Sequence, residues 1–307
     1  MSKEPRIIVI LAWFGQWPGW TRPFLASCRA NPTIDWLIST DCGVPDDLPP
    51  NVRLFETTLA DYRALIGRKL GIDPQWNDAY KLCDLKPALG FIHREALAGY
   101  DYWAFGDLDV IYGDIRAIYT PDVLRHDLIS SHDNIVAGHF SLLRTSPKMV
   151  EAFQRIFGWR KLLAQDANCS FDEQIFSRMF LPINWRRPWH RLQAPWLGGA
   201  LLREQYSTNI PPLPWVDGSQ DHPTQWDWRD GKLTNNRAGT REFLYLHFSH
   251  WQSNRWTSEA TAPWRALKRI DQLPPGRPGA FRISRDGIAP RLENAAAQLE
   301  QAAVTVT

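Results

Sequence analysis

Several common signatures are missing from this chain of 307 residues. Its four cysteines (Cys28, Cys42, Cys83 and Cys169) lie far apart and form no Cys-x-x-Cys pair, which excludes a disulfide framework or a zinc knuckle and predicts reduced thiols. No apolar run is long enough to cross a bilayer. The one near the start, Ile7 to Phe14, is followed by no small-residue cleavage site and reads as a buried first strand. A soluble, cytoplasmic protein is expected, with peripheral membrane contact left open. Charge of one sign is not in excess either: 35 Lys and Arg face 33 Asp and Glu, for a net charge of +2. The basic residues are scattered rather than gathered into a run, so nucleic acid is not the expected partner. There is no internal repeat. The early turn from Phe14 to Gly19 has two glycines but lacks a glycine-rich phosphate-loop fingerprint.

What the chain does have is an ordinary globular share of apolar residues, 44%, and an excess of tryptophan, 16 residues, with 23 prolines, many of them between Pro182 and Trp264. Indole rings stack on the C–H faces of sugars while their N–H reaches a polar partner, so the excess suits a carbohydrate handler; packing in the core is the alternative for any single one. Strand and helix signals alternate along the first part, as in a mainly parallel sheet covered by helices. Strands are predicted over Arg6 to Trp13, Ile34 to Thr40, Val52 to Phe55, Tyr100 to Gly106 and Ile135 to Leu143. Helices are predicted over Thr21 to Arg29, from the Thr58 cap to Leu70, over Asn77 to Ala98 with a break at Pro87, and over Pro147 to Leu163 and Phe171 to Phe180. The Pro/Trp-rich stretch from Leu181 to Arg241 reads as a loop elaboration with a hairpin at Asp227 to Gly231. Phe243 to Phe248 is a late strand, and the tail reads as a linker followed by a helix from about Pro290 to Ala303.

The most informative segment interrupts an aromatic strand with Asp107-Leu-Asp109 before apolar character resumes at Val110-Ile-Tyr112. Two acids one residue apart among apolar neighbours repel each other and pay for desolvation, so they require a cation. Carboxylate oxygens suit Mg²⁺ or Mn²⁺. An Asp-x-Asp triplet in a polar loop would be an ordinary solvated turn; its place at a strand end argues for function.

Gly106-Asp107-Leu-Asp109-Val between two strands resembles the Asp-x-Asp motif of GT-A glycosyltransferases, and three further segments fall in that superfamily's order. Ile38-Ser-Thr40-Asp41 is similar to the strand end that binds the nucleoside. Tyr80-Lys81-Leu-Cys-Asp84-Leu-Lys86-Pro87 is similar to the helix that touches the donor, and Tyr245-Leu-His247-Phe-Ser-His250-Trp to the late strand whose histidine completes a metal site. The pattern spans Ile7 to Trp251 and looks like a bacterial branch associated with capsule and cell-surface polysaccharide genes, which shares Lys-x-x-Asp-x-Lys-Pro and Gly-Asp-x-Asp.

The resemblance implies a GT-A, Rossmann-like α/β domain over 1–270, with a nucleotide-sugar half (1–120), an acceptor half (121–270), and a linker and helix over 271–307. It implies Mn²⁺ or Mg²⁺ on Asp107, Asp109 and His247, with His250 as the alternative ligand. A UDP-linked sugar donor would be contacted by Phe14, Gly15, Thr40, Asp41, Lys81, Asp84, Lys86 and Asp107. Lys81 and Asp84 share a helical face, although a solvated ion pair fits the same spacing. On the acceptor side, His139 and Ser141 alternate with apolar residues. Asp172 and Glu173, opening a helix, are candidates to deprotonate an acceptor hydroxyl or to stabilise an oxocarbenium-like state; acids also favour a first helical turn for its dipole alone. Two other readings stand beside glycosyl transfer to a glycan, lipid-linked or small-molecule acceptor. One is a metal-dependent nucleotidyltransferase or phosphoesterase, which ordinarily shows more metal ligands or a phosphate loop; the other is a non-catalytic carbohydrate-binding protein.

Overall fold

The computed structural model describes residues 4–181, 199–208, 214–248, 279–284 and 287–291. The expected α/β architecture is present. A seven-stranded mixed sheet runs in the order β3-β2-β1-β4-β7-β6-β8, from strands β1 (Ile7–Ala12), β2 (Ile34–Thr40), β3 (Val52–Glu56), β4 (Tyr102–Gly106), β6 (Leu128–Ser130), β7 (Phe140–Arg144) and β8 (Ala200–Leu202). Every neighbouring pair is parallel except those made by β7, which runs against both β4 and β6.

The continuous apolar run of β1 follows from burial on both faces. Ile7, Val9 and Leu11 join one core with helix α1 (Thr21–Arg29), while Ile8 and Ile10 join a second with helix α2 (Leu59–Leu70). In β4 the same alternation sends Tyr102 and Ala104 to the first core and Trp103 and Phe105 to the second. Helix α2 starts where expected: the Thr58 side chain accepts from the Asp61 N–H, and Gly71 closes the helix in the left-handed region at φ 62°.

Several expectations are corrected. Strand β5 (Val110–Tyr112) does not continue β4 in the main sheet but turns away to pair, antiparallel, with β11 (Tyr245–His247). Strand β7 begins at Phe140, because the preceding loop is tied up by side chains: Ser130 Oγ donates to the Ile135 carbonyl and accepts from the Ala137 N–H, and Glu173 takes the Gly138 N–H. The helix predicted over Pro147 to Leu163 breaks where Ile156 is extended and Gly158 is left-handed at φ 74°. The segment from Ala79 to Leu97 is a series of short helical turns, with Pro87 in the turn Lys86–Ala88, so the break falls where proline removes the donor.

The hairpin is real. Its strands β9 (Gln225–Arg229) and β10 (Lys232–Asn235) are joined through Asp230 and Gly231, both at positive φ as a two-residue primed turn requires. It is not a loop over the site, however, because β9 pairs with β12 (Ala280–Ser284), which pairs with β13 (Gly287–Pro290) in a four-stranded sheet. The stretch expected as linker therefore contributes two strands, and the helix expected from Pro290 lies outside the described residues apart from its start, where Pro290 is strand. Most described indoles pack inside: Trp36, Trp76, Trp103 and Trp226 are fully buried. Among the described residues, the tryptophan excess is mostly a core signal.

Gly90 lies beneath the Trp103 ring, where an added Cβ would sit 2.5 Å from the indole. Gly90→Ala is expected to destabilise the protein by about 1–3 kcal/mol through overpacking, read as a lower urea midpoint at unchanged slope.

Candidate active site

The order of the main sheet brings the chemistry to one edge. Chain exits from β1, β2 and β4 lie at the carboxyl end of the sheet, and antiparallel β7 enters at that same end, opposite Gly106. The order also reverses between β1 and β4, where open α/β sheets form their ligand crevice. Gly15 follows β1, Asp41 follows β2 and Asp107 follows β4. The Asp41 carboxylate accepts from the Gly15 N–H at 2.7 Å, locking the first two exits together on an exposed rim. Phe14 packs against Tyr62, with ring centroids 5.4 Å apart. Thr40 is fully buried, and its hydroxyl accepts from the Cys42 N–H, so it shapes the turn and offers no surface to a ligand.

At the β4 exit, ligand atoms of Asp107, Asp109 and His247 all lie within 4.8 Å of one another. The histidine arrives through backbone register, since Val110 in β5 pairs with His247 in β11, and the Phe248 N–H donates to the Asp109 carbonyl. His247 Nε2 stands 3.8 Å from Asp109 Oδ1, and its ring stacks on His139 at 4.1 Å. Two oxygens and an imidazole nitrogen suit a borderline-hard divalent ion. Ligands about 2.1 Å from one ion can be up to about 4.2 Å apart, so the three groups fit one with a small inward adjustment. Of the two histidines proposed for this role, His247 is in place; His250 lies outside the described residues.

A fixed cation is already present. Lys86 Nζ contacts both oxygens of Asp107, at 2.6 and 2.8 Å, and lies 3.7 Å from Asp172 Oδ2. Burial opposes the charge on Lys86, but Asp107, the Cys83 thiol and Asp172 outweigh it and hold the ammonium well above its ordinary pKa. One ammonium does not balance this many acids. Asp109 is pushed up to about 7, by desolvation first and by Asp107 second. Asp172 is likewise raised to about 7 by desolvation, with Lys86 pulling the other way and Glu173 and Asp107 adding to the rise. Such carboxylates, held near neutrality in a crevice, mark a site with room for more positive charge.

Asp172 and Glu173 do reach this cluster, not as the start of a regular helix but on a single wide turn, Phe171–Ile175. Both lie against Gly138, where an added Cβ would come within 2.5 Å of Asp172 and 3.0 Å of Glu173.

The donor contacts expected of Lys81 and Asp84 are corrected. Both are buried and satisfied by the protein: Lys81 Nζ donates to Asp84 Oδ2 at 2.8 Å and to the carbonyls of Leu162 and Ala167. Asp84 accepts in turn from the N–H groups of Cys169 and Phe171. These bonds clamp the turn at Ser170, a non-glycine residue at φ 49°, that delivers Asp172 into the crevice. The helical spacing was read correctly, but the pair faces inward.

Residues overlooked as site components are Tyr245, His132 and Glu204. His139 Nε2 is 2.6 Å from the Tyr245 hydroxyl, which donates to Ser131 Oγ, and His132 Nδ1 is 2.6 Å from Glu204 Oε2. His132 meets His139 edge to face at 5.1 Å, so three imidazoles run from the acids toward Glu204. Only the topology that sets β6, β7 and β8 side by side makes this visible.

The chain belongs to a family described as a family of unknown function (DUF6625), whose model matches residues 9–270. No curated protein matches it. Similar solved structures include the galactosyltransferase LgtC in complex with donor and acceptor sugar analogues, at TM-score 0.41 and 9% identity over 84% of this chain and 94% of that one. Others are the glycosyltransferase GlyE of Streptococcus pneumoniae TIGR4 (TM-score 0.29, 12% identity, 52% of this chain and 38% of that one) and mouse xyloside xylosyltransferase 1 in its apo form (TM-score 0.29, 11% identity, 52% and 72%). Likenesses this remote carry no weight beside the geometry of the site.

Two outcomes follow from that geometry. Asp84→Ala leaves the buried Lys81 ammonium without its counter-charge and is expected to cost about 3–5 kcal/mol in urea denaturation. In metal-free protein, unfolded carboxylates ionise near pH 4, whereas folded Asp109 keeps its proton to about 7. The native state therefore binds more protons across that window, and stability falls as pH rises through it. Asp109→Asn should flatten that decline, measured by urea unfolding at intervals across the window with chelator present.

Proposed function

We propose that this protein is a metal-dependent glycosyltransferase of the GT-A type, which moves a sugar from a nucleotide-sugar donor, UDP-linked, to a glycan, lipid-linked or small-molecule acceptor. The observation that carries the reading is the convergence of Asp107, Asp109 and His247 at the carboxyl edge of the sheet, beside a buried ammonium and a second pair of acids. Mn²⁺ or Mg²⁺ held by those three residues would supply Lewis-acid neutralisation of the charge that grows on the departing nucleoside diphosphate.

The chain's own groups divide the remaining work. Lys86 fixes Asp107 and Asp172 relative to each other and adds a permanent positive charge where a diphosphate is bound. The Asp41 bond to the Gly15 N–H shapes the rim between β1 and β2 for the nucleoside, with Phe14 behind it. Glu173 uses one oxygen on the Gly138 N–H, which orients its carboxylate. From there Asp172 and Glu173 are the groups available to take the proton of an acceptor hydroxyl or to face positive charge at the anomeric carbon. The resemblance to capsule-associated sequences supports cell-surface polysaccharide synthesis as the setting.

A phosphoesterase or nucleotidyltransferase is less well supported, because the described residues offer three clustered metal ligands rather than the fuller set of a two-ion site. A passive lectin gains nothing from acids held near neutrality beside a lysine.

Calorimetric titration of sugar nucleotides with Mn²⁺, with Mg²⁺ and with chelator decides the matter. Binding of a UDP-sugar only when metal is present is expected, with slow hydrolysis in the absence of acceptor. Asp109→Ala should abolish that binding while leaving the unfolding transition cooperative. No binding to any sugar nucleotide, or full binding by the variant, rejects the proposal.

A further inference from the structure

Beyond the cluster of acids, a cavity of about 230 Å³ opens between the loop at 133–134 and the segments 204–208 and 214–222. We infer that this cavity seats a neutral, hydroxyl-rich sugar and turns away anionic ones, which makes it an acceptor subsite; this rests on the transferase reading above.

Its walls combine two kinds of group. Tyr206 and Trp215 form an aromatic corner, with ring centroids 6.1 Å apart and planes at 73°, the kind of surface that receives the C–H faces of a pyranose. Asp133 and Asn134 stand at the exposed rim, and no described residue hydrogen-bonds their side chains. A carboxylate and an amide there supply the acceptors and donors that read vicinal hydroxyls.

Tyr206 carries an independent sign of purpose. It is a bulky residue in the left-handed region, at φ 57°, where such side chains are outliers. The conformation is enforced by Glu204, which accepts from the Tyr206 N–H at 2.7 Å with one oxygen while the other meets His132 Nδ1 at 2.6 Å. Backbone strain kept in place by a dedicated carboxylate is characteristic of a ligand clamp. Here it sets the tyrosine ring into the cavity wall.

Charge sets the selectivity. Asp133 and Glu204 line the cavity, and the described lining residues include no lysine or arginine, with His222 adding an imidazole; Arg241 stacks on the Tyr206 ring at 5.6 Å from outside those residues. A carboxylate- or phosphate-bearing sugar would meet two acids with no lysine or arginine among the described lining residues to pair with. The cavity also borders the chemistry. Thr208, in its wall, lies 3.4 Å from His139 Nε2 and bridges by backbone to His247, one of the three clustered metal-ligand candidates. A sugar seated here is one side-chain layer from the proposed centre of transfer.

The test uses the full chain, chelator and no sugar nucleotide. Methyl glucoside and methyl galactoside are compared with methyl glucuronide by saturation-transfer NMR. Binding of at least one neutral glycoside, without the glucuronide, is expected. Asp133→Ala, at the exposed rim, should weaken it tenfold or more while leaving metal-dependent donor binding unchanged. Tyr206→Gly should weaken it as much while still unfolding in one cooperative transition, since glycine tolerates the positive φ. Absence of binding by both neutral sugars, equal binding of the glucuronide, or undiminished binding by both variants overturns the inference. Loss of donor binding alone would reject the transferase reading, and with it the acceptor role, and leave the cavity standing as a site for neutral sugars.

Discussion

The ammonium of Lys86 is the constraint on which the site depends. It sits between Asp107, at the end of β4, and Asp172, on the turn that follows the 165–170 loop, and it is almost wholly withdrawn from solvent. Without it, buried acids from two separate parts of the chain would face each other uncompensated, and the crevice at the carboxyl edge would open or protonate. With it, the acids still outnumber the cation, and Asp109 and Asp172 stay raised by burial and by each other's neighbours.

One short motif serves two separate purposes. In Tyr80-Lys81-Leu-Cys-Asp84-Leu-Lys86-Pro87, the first lysine and the aspartate turn into the second core and anchor the loop carrying Asp172, while the second lysine enters the crevice. Pro87 begins a new turn at the point where the chain must change direction between these tasks. The segment acts as a lever arm: the inner pair sets where Asp172 stands and the outer lysine holds it there.

How much of this is legible in the sequence depends on how local the cause is. Strands β1 and β4 can be read from their own residues, because burial on both faces demands uninterrupted apolar runs, while β2 shows itself by alternation along Ile34–Ile38. The acids of Asp107 and Asp109 stand out because they violate that demand. By contrast, the helix predicted over Pro147 to Leu163 fails at Gly158, and the strand predicted from Ile135 starts late because side chains of Ser130 and Glu173 claim its backbone groups. Those partners are distant in sequence or carry no periodic signal. The pairing of β9 with β12 is invisible for the same reason, as is the difference between Lys81 facing inward and Lys86 facing the crevice: both lysines sit in helical spacing, and only the packed segment from Leu162 to Phe171 distinguishes them.

The antiparallel pairing of β5 with β11 has a consequence for biosynthesis. A nascent chain that has emerged only as far as β8 holds the full seven-stranded sheet, the two acids and the lysine, yet its imidazole is still within or behind the ribosome. Until β11 docks, Asp107, Asp109 and Lys86 stand together without His247. The late strand thus brings the third member of the cluster only after the sheet that holds the other two can be complete.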